Sequence, residues 1–568
     1  MTLQRKWMTW TAVTAVLIFW FLALNSLVGD SPTMDEQNHI ARGLAFLRTG
    51  DPRLSLEHPP LINSLSALPL LTMPEIKLPL DSASWQRQPP DVYWYIFAEQ
   101  MMWDLNRDIN MNGMVFLARL PIVFLTIGLA LTGFHFAREL WGLIAAGFAF
   151  LLLLFDPNLL AHGRYATTDI GGTLFVLLAT YMLWRLWQRP LHSWSRWFAA
   201  AITMGLAFSS KLSTLVFVPI WIMLALLPLY APADLDWRAA VRRVLALLSA
   251  GLGSILLVWL VFGLEWGQFL FQKPLLVGLN RFSGPMPTFW AGIEKIVLLS
   301  SSGRPGFLLG NFSDSGFLLY FPIAFLAKTP LITIGLFVLA VALLLFINAS
   351  RRKAIFLSIP ILFYFLVSMQ SALNLGYRHL LPVLPFIYLL ISGLAGRDVQ
   401  AWLQQRFHVN ARRLLIWTGT AVVALLLFTT LWIHPHYLSY FNVAVGGPQN
   451  GRNILLDSNI DWGQDLLRLQ DWMDQNGVEE VNLAWFGTAD PDYYGLNYKP
   501  LPGFPRPQFL SQWTRPPFNP ADPEPGIYAI SVSNLWEIQL ADKNVYPWFR
   551  ARQPDDSIGN SILIYKIP

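Results

Sequence analysis

The chain has no cysteine among its 568 residues. That excludes disulfides, thiolate catalysis and cysteine-ligated zinc, and leaves the redox compartment undetermined. Charge is also scarce: Asp, Glu, Lys and Arg make up 13% of the residues against 54% apolar ones, a balance rarely seen in a water-soluble chain of this size. No internal repeat, heptad run, low-complexity segment or nucleotide-binding motif is visible. What the chain does have is apolar runs, among them 13–28, 117–134, 244–262 and 414–432, each close to the ~20 residues that span a bilayer core. These read as transmembrane helices. Arg5 and Lys6 precede the first run, but no A-x-A-like cleavage site follows it, so it reads as a retained signal anchor.

The pattern predicts about eleven spans, starting near residues 10, 115, 141, 170, 197, 211, 244, 330, 354, 380 and 414. The segments between alternate spans hold Arg5 and Lys6; Arg138; Arg185, Arg189 and Arg196; Arg238, Arg242 and Arg243; Arg351, Arg352 and Lys353; and Arg397, Arg406, Arg412 and Arg413. The positive-inside rule makes that side cytoplasmic, so the net charge of +5 reflects topology and does not signal nucleic acid. Three long segments fall on the outer side: about 35–113, about 265–329, and a tail of 434–568 rich in Pro, Trp and Asp. In the tail, Val481 to Phe486, Ile527 to Val532 and Ile562 to Ile567 read as strands, and Gln464 to Trp472 as an amphipathic helix. The expected organisation is a transmembrane domain over 1–433, with its first outer loop at about 35–113, followed by a small outer α/β domain over 434–568.

Chemistry-bearing residues collect on that outer side. Asp35 and Glu36 follow the first span directly, as paired carboxylates for base work or cation binding, or as caps of a following helix. In Glu57-His58-Pro59-Pro60-Leu61 the two prolines stiffen the turn that carries a Glu–His pair. Arg164 and Asp169 lie at the lip of the fourth span, either functional at membrane depth or simply paired with each other. Lys211, Lys328, Arg378 and His379 are further cations near span ends, where snorkelling to the interface is the plain alternative. Because all ten residues share one face, a common cavity is expected, with cations for a lipid phosphate and carboxylates to activate a nucleophile beside it.

These motifs resemble glycosyltransferases of the GT-C fold, in the branch of protein O-mannosyltransferases and aminoarabinose lipid A transferases. Met34-Asp35-Glu36 followed by Arg42, Gly50-Asp51 and Glu57-His58-Pro59-Pro60-Leu61 looks like the family's first-loop pattern. Arg164 and Asp169 resemble its second-loop pair. Lys328-Thr329-Pro330-Leu331, Gly376-Tyr377-Arg378-His379 and Asp461-Trp462-Gly463-Gln464-Asp465 look like later motifs of its bacterial, carrier-dependent members.

The resemblance implies an inverting transfer from a polyprenyl-phosphate sugar, undecaprenyl-type in a bacterium, to a protein, lipid or glycan hydroxyl. Asp35 would be the base and Glu36 would help to orient a substrate. Glu57 lies in the turn at the donor site, and His58, Arg164, Lys211, Lys328, Arg378 and His379 would hold the phosphate. Asp169 would position Arg164 or the sugar. The expected setting is the inner membrane of a bacterium, with site and C-terminus extracytoplasmic. Asp35, Glu36 and His58 could ligate a divalent ion, but the set is not diagnostic, and no metal is assigned. The long soluble insertion of eukaryotic protein mannosyltransferases is missing, which puts a protein acceptor in doubt. Rival readings are a transporter or flippase of lipid-linked sugars, an oligosaccharyltransferase reading Asp461-Trp462-Gly463 as a sequon motif, and a silent scaffold.

Overall fold

The computed structural model describes residues 3–87, 93–188, 193–229, 237–503, 518–540 and 542–568. Arg189, counted above among the cytoplasmic cations, lies outside them, as do the side chains of Arg5 and Lys6. Among the described residues seven helices are long and apolar enough to cross a bilayer: Thr9–Val28, Met111–Leu140, Asp169–Trp187, Trp237–Val261, Asn348–Met369, Tyr377–Phe407 and Ala411–Ile433. A further apolar pair, Tyr320–Lys328 and Leu331–Phe346, is bent at 112° and makes an eighth if the two halves are counted as one broken span. The break falls at Thr329-Pro330, where proline supplies no N–H and holds the preceding Thr329 extended, at ψ 135°.

The three remaining expected spans, near 141, 197 and 211, are apolar helices of less than full length. Leu143–Phe155 has 13 residues and Trp194–Ser210 has 17, and the third lies over Leu212–Leu226. At 1.5 Å per residue none reaches the ~30 Å of a bilayer core. The chain is a multi-pass membrane protein whose outermost helix, Ala411–Ile433, turns Trp417, Leu425 and Phe428 outward, as a lipid-facing surface requires.

Between the first two spans the chain folds into two short helices that carry much of the site. Helix Glu36–Thr49 ends on Gly50, which takes the left-handed conformation at φ 72° and donates its N–H to Phe46. Pro60 starts helix Pro60–Ala67 at a position where its missing N–H is not needed. The two helices pack backbone to backbone at Gly43, where an added Cβ would lie 1.9 Å from the Asn63 carbonyl oxygen. This contact fixes the face that the first helix turns to the membrane block.

The tail carries helix Leu466–Asn476 and a five-stranded sheet: β1 (Val481–Ala484), β2 (Tyr498–Pro500), β3 (Gly526–Ser531), β4 (Asp556–Ile558) and β5 (Ile562–Ile567), in the order β2-β1-β3-β5-β4. β1 is parallel to β2 and β3, and β5 is antiparallel to β3 and β4. The three expected strands and the helix are all present. β2 and β4, three residues each, are too short to leave an alternating pattern in the sequence. The tail is clamped onto the exit of the first span: Ser31 N–H donates to Gln464 O at 2.9 Å, Met34 N–H to Trp462 O at 2.8 Å, and Arg468 meets Asp30 at 2.5 Å.

Candidate active site

Two cavities meet at Asp35 and Arg378. The first, of about 420 Å³, opens among the helix ends of the membrane block and is lined by Asp35, His39, Arg42, Glu57, His58, Asp169, Lys211, Arg304, Arg378 and His379. The second, of about 610 Å³, lies between the 36–49 helix, the segment around 94–107 and the tail sheet, with Trp94, Tyr95, Trp485 and Tyr498 on its walls. Asp35, Asn38, Trp94, Arg304, Leu375 and Arg378 line both.

Asp35 stands at the N-cap of helix Glu36–Thr49, but its side chain makes no capping bond. The carboxylate turns to Arg378, whose Nη1 donates to it at 2.8 Å. Burial pulls the Asp35 carboxyl upward, but Arg378 and then His39 outweigh it and hold it below the usual carboxylate range. Arg378 also lies 3.8 Å from Asp169, which is ion-paired to Lys211, and its guanidinium rests 4.4 Å from the centre of the Trp462 ring. Lys211 and Arg378 are therefore organised by Asp169.

Arg42 is buried at 2% exposure and none of its three nitrogens has a hydrogen-bond partner. Its nearest carboxylate oxygen, on Glu57, is 3.9 Å away, and it stacks on Trp94 at 4.2 Å. Burial holds its proton affinity down to about 10, which still leaves it charged at neutral pH. Arg378 Nε and His379 Nε2 are likewise buried and unpartnered. Burying the guanidinium donors unmatched is costly, and an anion in this cavity would satisfy them, as it would His379 Nε2 in the tautomer that carries its proton there. His58 is 4.7 Å from His39 ring to ring, and burial, then His39 and Arg42, keep it well below its ordinary value. It is thus a neutral imidazole at neutral pH and can give a phosphate one hydrogen bond.

Three of the expected residues face elsewhere. Glu36 is fully buried and bound by Arg119 at 2.8 and 2.7 Å, by the Ala166 N–H at 2.8 Å and by the Thr33 N–H at 2.9 Å. Arg164 pairs with Asp30, and Tyr165 Oη donates to the same carboxylate at 2.7 Å. An Arg164–Asp169 pair, one of the alternatives for these two residues, is therefore not formed, because the residues between them turn Arg164 back against the first span while Asp169 starts the next helix. Lys328 donates to the Leu438 and Asn459 carbonyls at 2.9 and 2.5 Å, holding the tail to the broken span. None of the three lines either cavity. With Glu36 turned away, the possible ligand set Asp35, Glu36 and His58 does not converge, and no group of three such side chains is placed to hold a metal among the described residues.

The sequence reading left Arg42, His39 and Arg304 out of the site. For the first two the signal was present: Asp35, Asn38, His39 and Arg42 fall at helical spacing and share one face. Arg304 carried none, because it lies in a loop that only the packing brings to Asp35.

Residues 90–262 match the family model described as dolichyl-phosphate-mannose-protein mannosyltransferase. The match takes in Arg164, Asp169 and Lys211 and begins beyond the first-loop motifs. It covers less than a third of the chain, in agreement with the motif-level resemblance to GT-C glycosyltransferases. No curated protein matches in a sequence search. Among solved structures, the chain is similar to ArnT from Cupriavidus metallidurans in the apo state, at 14% identity, TM-score 0.46, with 98% of this chain and 97% of that one covered. The same protein bound to undecaprenyl phosphate gives 14% identity, the same coverage and a TM-score of 0.45. The oligosaccharyltransferase AglB from Archaeoglobus fulgidus, in complex with an inhibitory peptide and a dolichol-phosphate, gives 12% identity and 0.42, with 76% and 55% covered. At TM-scores below 0.5 these are likenesses only.

Proposed function

We propose that the chain is a glycosyltransferase that moves a sugar from a polyprenyl-phosphate donor to an acceptor hydroxyl, with the donor phosphate in the 420 Å³ cavity and the acceptor entering through the 610 Å³ one. The observation that carries this reading is that a carboxylate, Asp35, stands on the wall the two cavities share. Displacement at an anomeric carbon needs a base on the side of the incoming hydroxyl and a stabilised anion on the side of the leaving group, and the unpartnered donors of Arg42, Arg378 and His379 supply the second.

In this reading Lys211 and Arg378, held by Asp169, and a neutral His58 complete the phosphate site. A phosphate oxygen competing for Arg378 loosens its hold on Asp35 and so raises the proton affinity of the base when donor is bound. Inversion at the anomeric carbon, a mannose-like sugar and an extracytoplasmic site belong to the same proposal. The motif match and the positive-inside pattern support them.

The test is transfer by purified protein in lipid with polyprenyl-phosphate sugars and membrane extract, comparing wild type with Asp35→Asn. The expected result is release of free polyprenyl phosphate that depends on acceptor and falls by a factor on the order of 10² or more in the variant. Intact donor that only changes leaflet would mean that the chain is a transporter.

A further inference from the structure

The opposite end of the helix bundle holds a concave polar site that the transfer reading does not use. A cavity of about 660 Å³ opens between the last turn of Met111–Leu140, the start of Leu143–Phe155, helix Arg397–Phe407 and the first turn of Ala411–Ile433. Three of those elements send one guanidinium each to its wall: Arg138, Arg397 and Arg412. None of the three side chains makes a hydrogen bond or ion pair among the described residues. The carboxylate on the same wall, Glu139, is already engaged, accepting from Tyr181 Oη at 2.7 Å and standing 3.4 Å from Arg185.

Arginines at this end of the spans have a ready explanation in membrane topology, but topology requires only charge on the correct side. It does not require three guanidiniums from separate elements to converge on one cavity. Nor does it account for the seat of Arg397, which lies across the backbone of Gly142: a Cβ there would come within 2.6 Å of its Nε, at a backbone φ of 103° that itself favours glycine. Beside the arginines, Leu143 is exposed and Ile144 half-buried at the start of a helix that runs into the apolar zone.

We propose that this cavity binds the phosphodiester headgroup of an anionic phospholipid. The guanidiniums of Arg138, Arg397 and Arg412 take the phosphate oxygens, and Leu143 and Ile144 meet the first carbons of an acyl chain. Guanidinium forks suit phosphate oxygens in bidentate geometry, and basic pockets between helices at a membrane surface attract anionic headgroups.

Thermal unfolding of the purified full chain in a neutral detergent tests this, with phosphatidylglycerol, phosphatidylcholine or inorganic phosphate added. Phosphatidylglycerol is expected to raise the Tm by several degrees while the other two do not. In Arg397→Gln/Arg412→Gln the lipid concentration needed should rise at least tenfold, and transfer activity measured in phosphatidylcholine should stay at the wild-type level. An unchanged lipid response in the variant overturns the proposal, and so does an equal response to inorganic phosphate, which would mean a free-anion site. Should the variant fail to fold, a photoreactive phosphatidylglycerol on wild type decides: labelling within 138–144 or 397–412 supports the site, and labelling confined elsewhere removes it.

Discussion

Arg378 donates through Nη1 to the Asp35 carboxylate at 2.8 Å across 343 residues of sequence, and the same nitrogen stands 3.8 Å from Asp169. One guanidinium nitrogen thus ties the residue at the exit of the first span to the one that opens the span at 169, while the Nε of the same side chain is left buried and unbonded. An arginine placed this way can serve a phosphate and a base at once, and its removal separates the two roles.

Arg378→Gln should move the acidic limb of the transfer rate to higher pH. Arg378 is the strongest of the influences that hold the Asp35 carboxyl below its ordinary value of 3.8, and without it burial dominates and raises it. The stability that Asp35 contributes in the wild type is present above that ordinary value and lost as pH falls through the lower folded one. Rate profiles between pH 4 and 8 check this, and superimposable acidic limbs would remove Asp35 as the titrating base.

Arg42→Gln should weaken binding of polyprenyl phosphate by about tenfold or more while leaving the Tm unchanged or slightly higher. The wild-type guanidinium is buried without a hydrogen-bond partner; its loss relieves a desolvation cost that offsets the long Glu57 contact and the Trp94 stacking, and Glu57 keeps Lys295 at 3.4 Å. Titration calorimetry with the lipid phosphate, run beside a melting curve, reads both quantities. A large drop in Tm with unchanged affinity would make Arg42 structural.

Arg164→Ala should behave in the opposite way. Its partner Asp30 is 4% exposed and would keep Arg468 and Tyr165 but lose one of its two arginines, a change expected to cost on the order of 1–3 kcal/mol. Denaturant melts should show that loss, while the fraction still folded binds donor with wild-type affinity.

Asp457→Asn should stabilise the protein at pH 8 and leave it unchanged near pH 4. Burial lifts the Asp457 carboxyl to about 6 against the pull of Arg378. A carboxyl raised in this way is most stabilising when protonated, below its ordinary 3.8, and the advantage is lost as pH rises through 6. Asparagine keeps the neutral form and also tolerates the left-handed backbone at φ 57°. Melting temperatures of both proteins across that range are the measurement.

The sequence by itself determined the solvent and the order of the apolar helices, and it grouped the charged residues at the ends of those helices. Apolar runs and flanking arginines are read locally, and so are the strands at 481, 527 and 562, whose alternation depends only on neighbours. It also placed Asp35, Glu57, His58, Asp169, Lys211, Arg378 and His379 in one set, and all seven line the first cavity. Only the tertiary structure decided which charges face that cavity and which hold the frame. Glu36 stands beside Asp35 in the chain, but one step along a helix turns a side chain by 100°, so Asp35 looks into the site while Glu36 is spent on Arg119. Arg164 and Lys328 are basic residues like Arg42 and Arg378, yet their donors are taken by Asp30 and by two tail carbonyls. Whether a buried charge is satisfied depends on partners 83 or more residues away in these cases, and no local pattern records them.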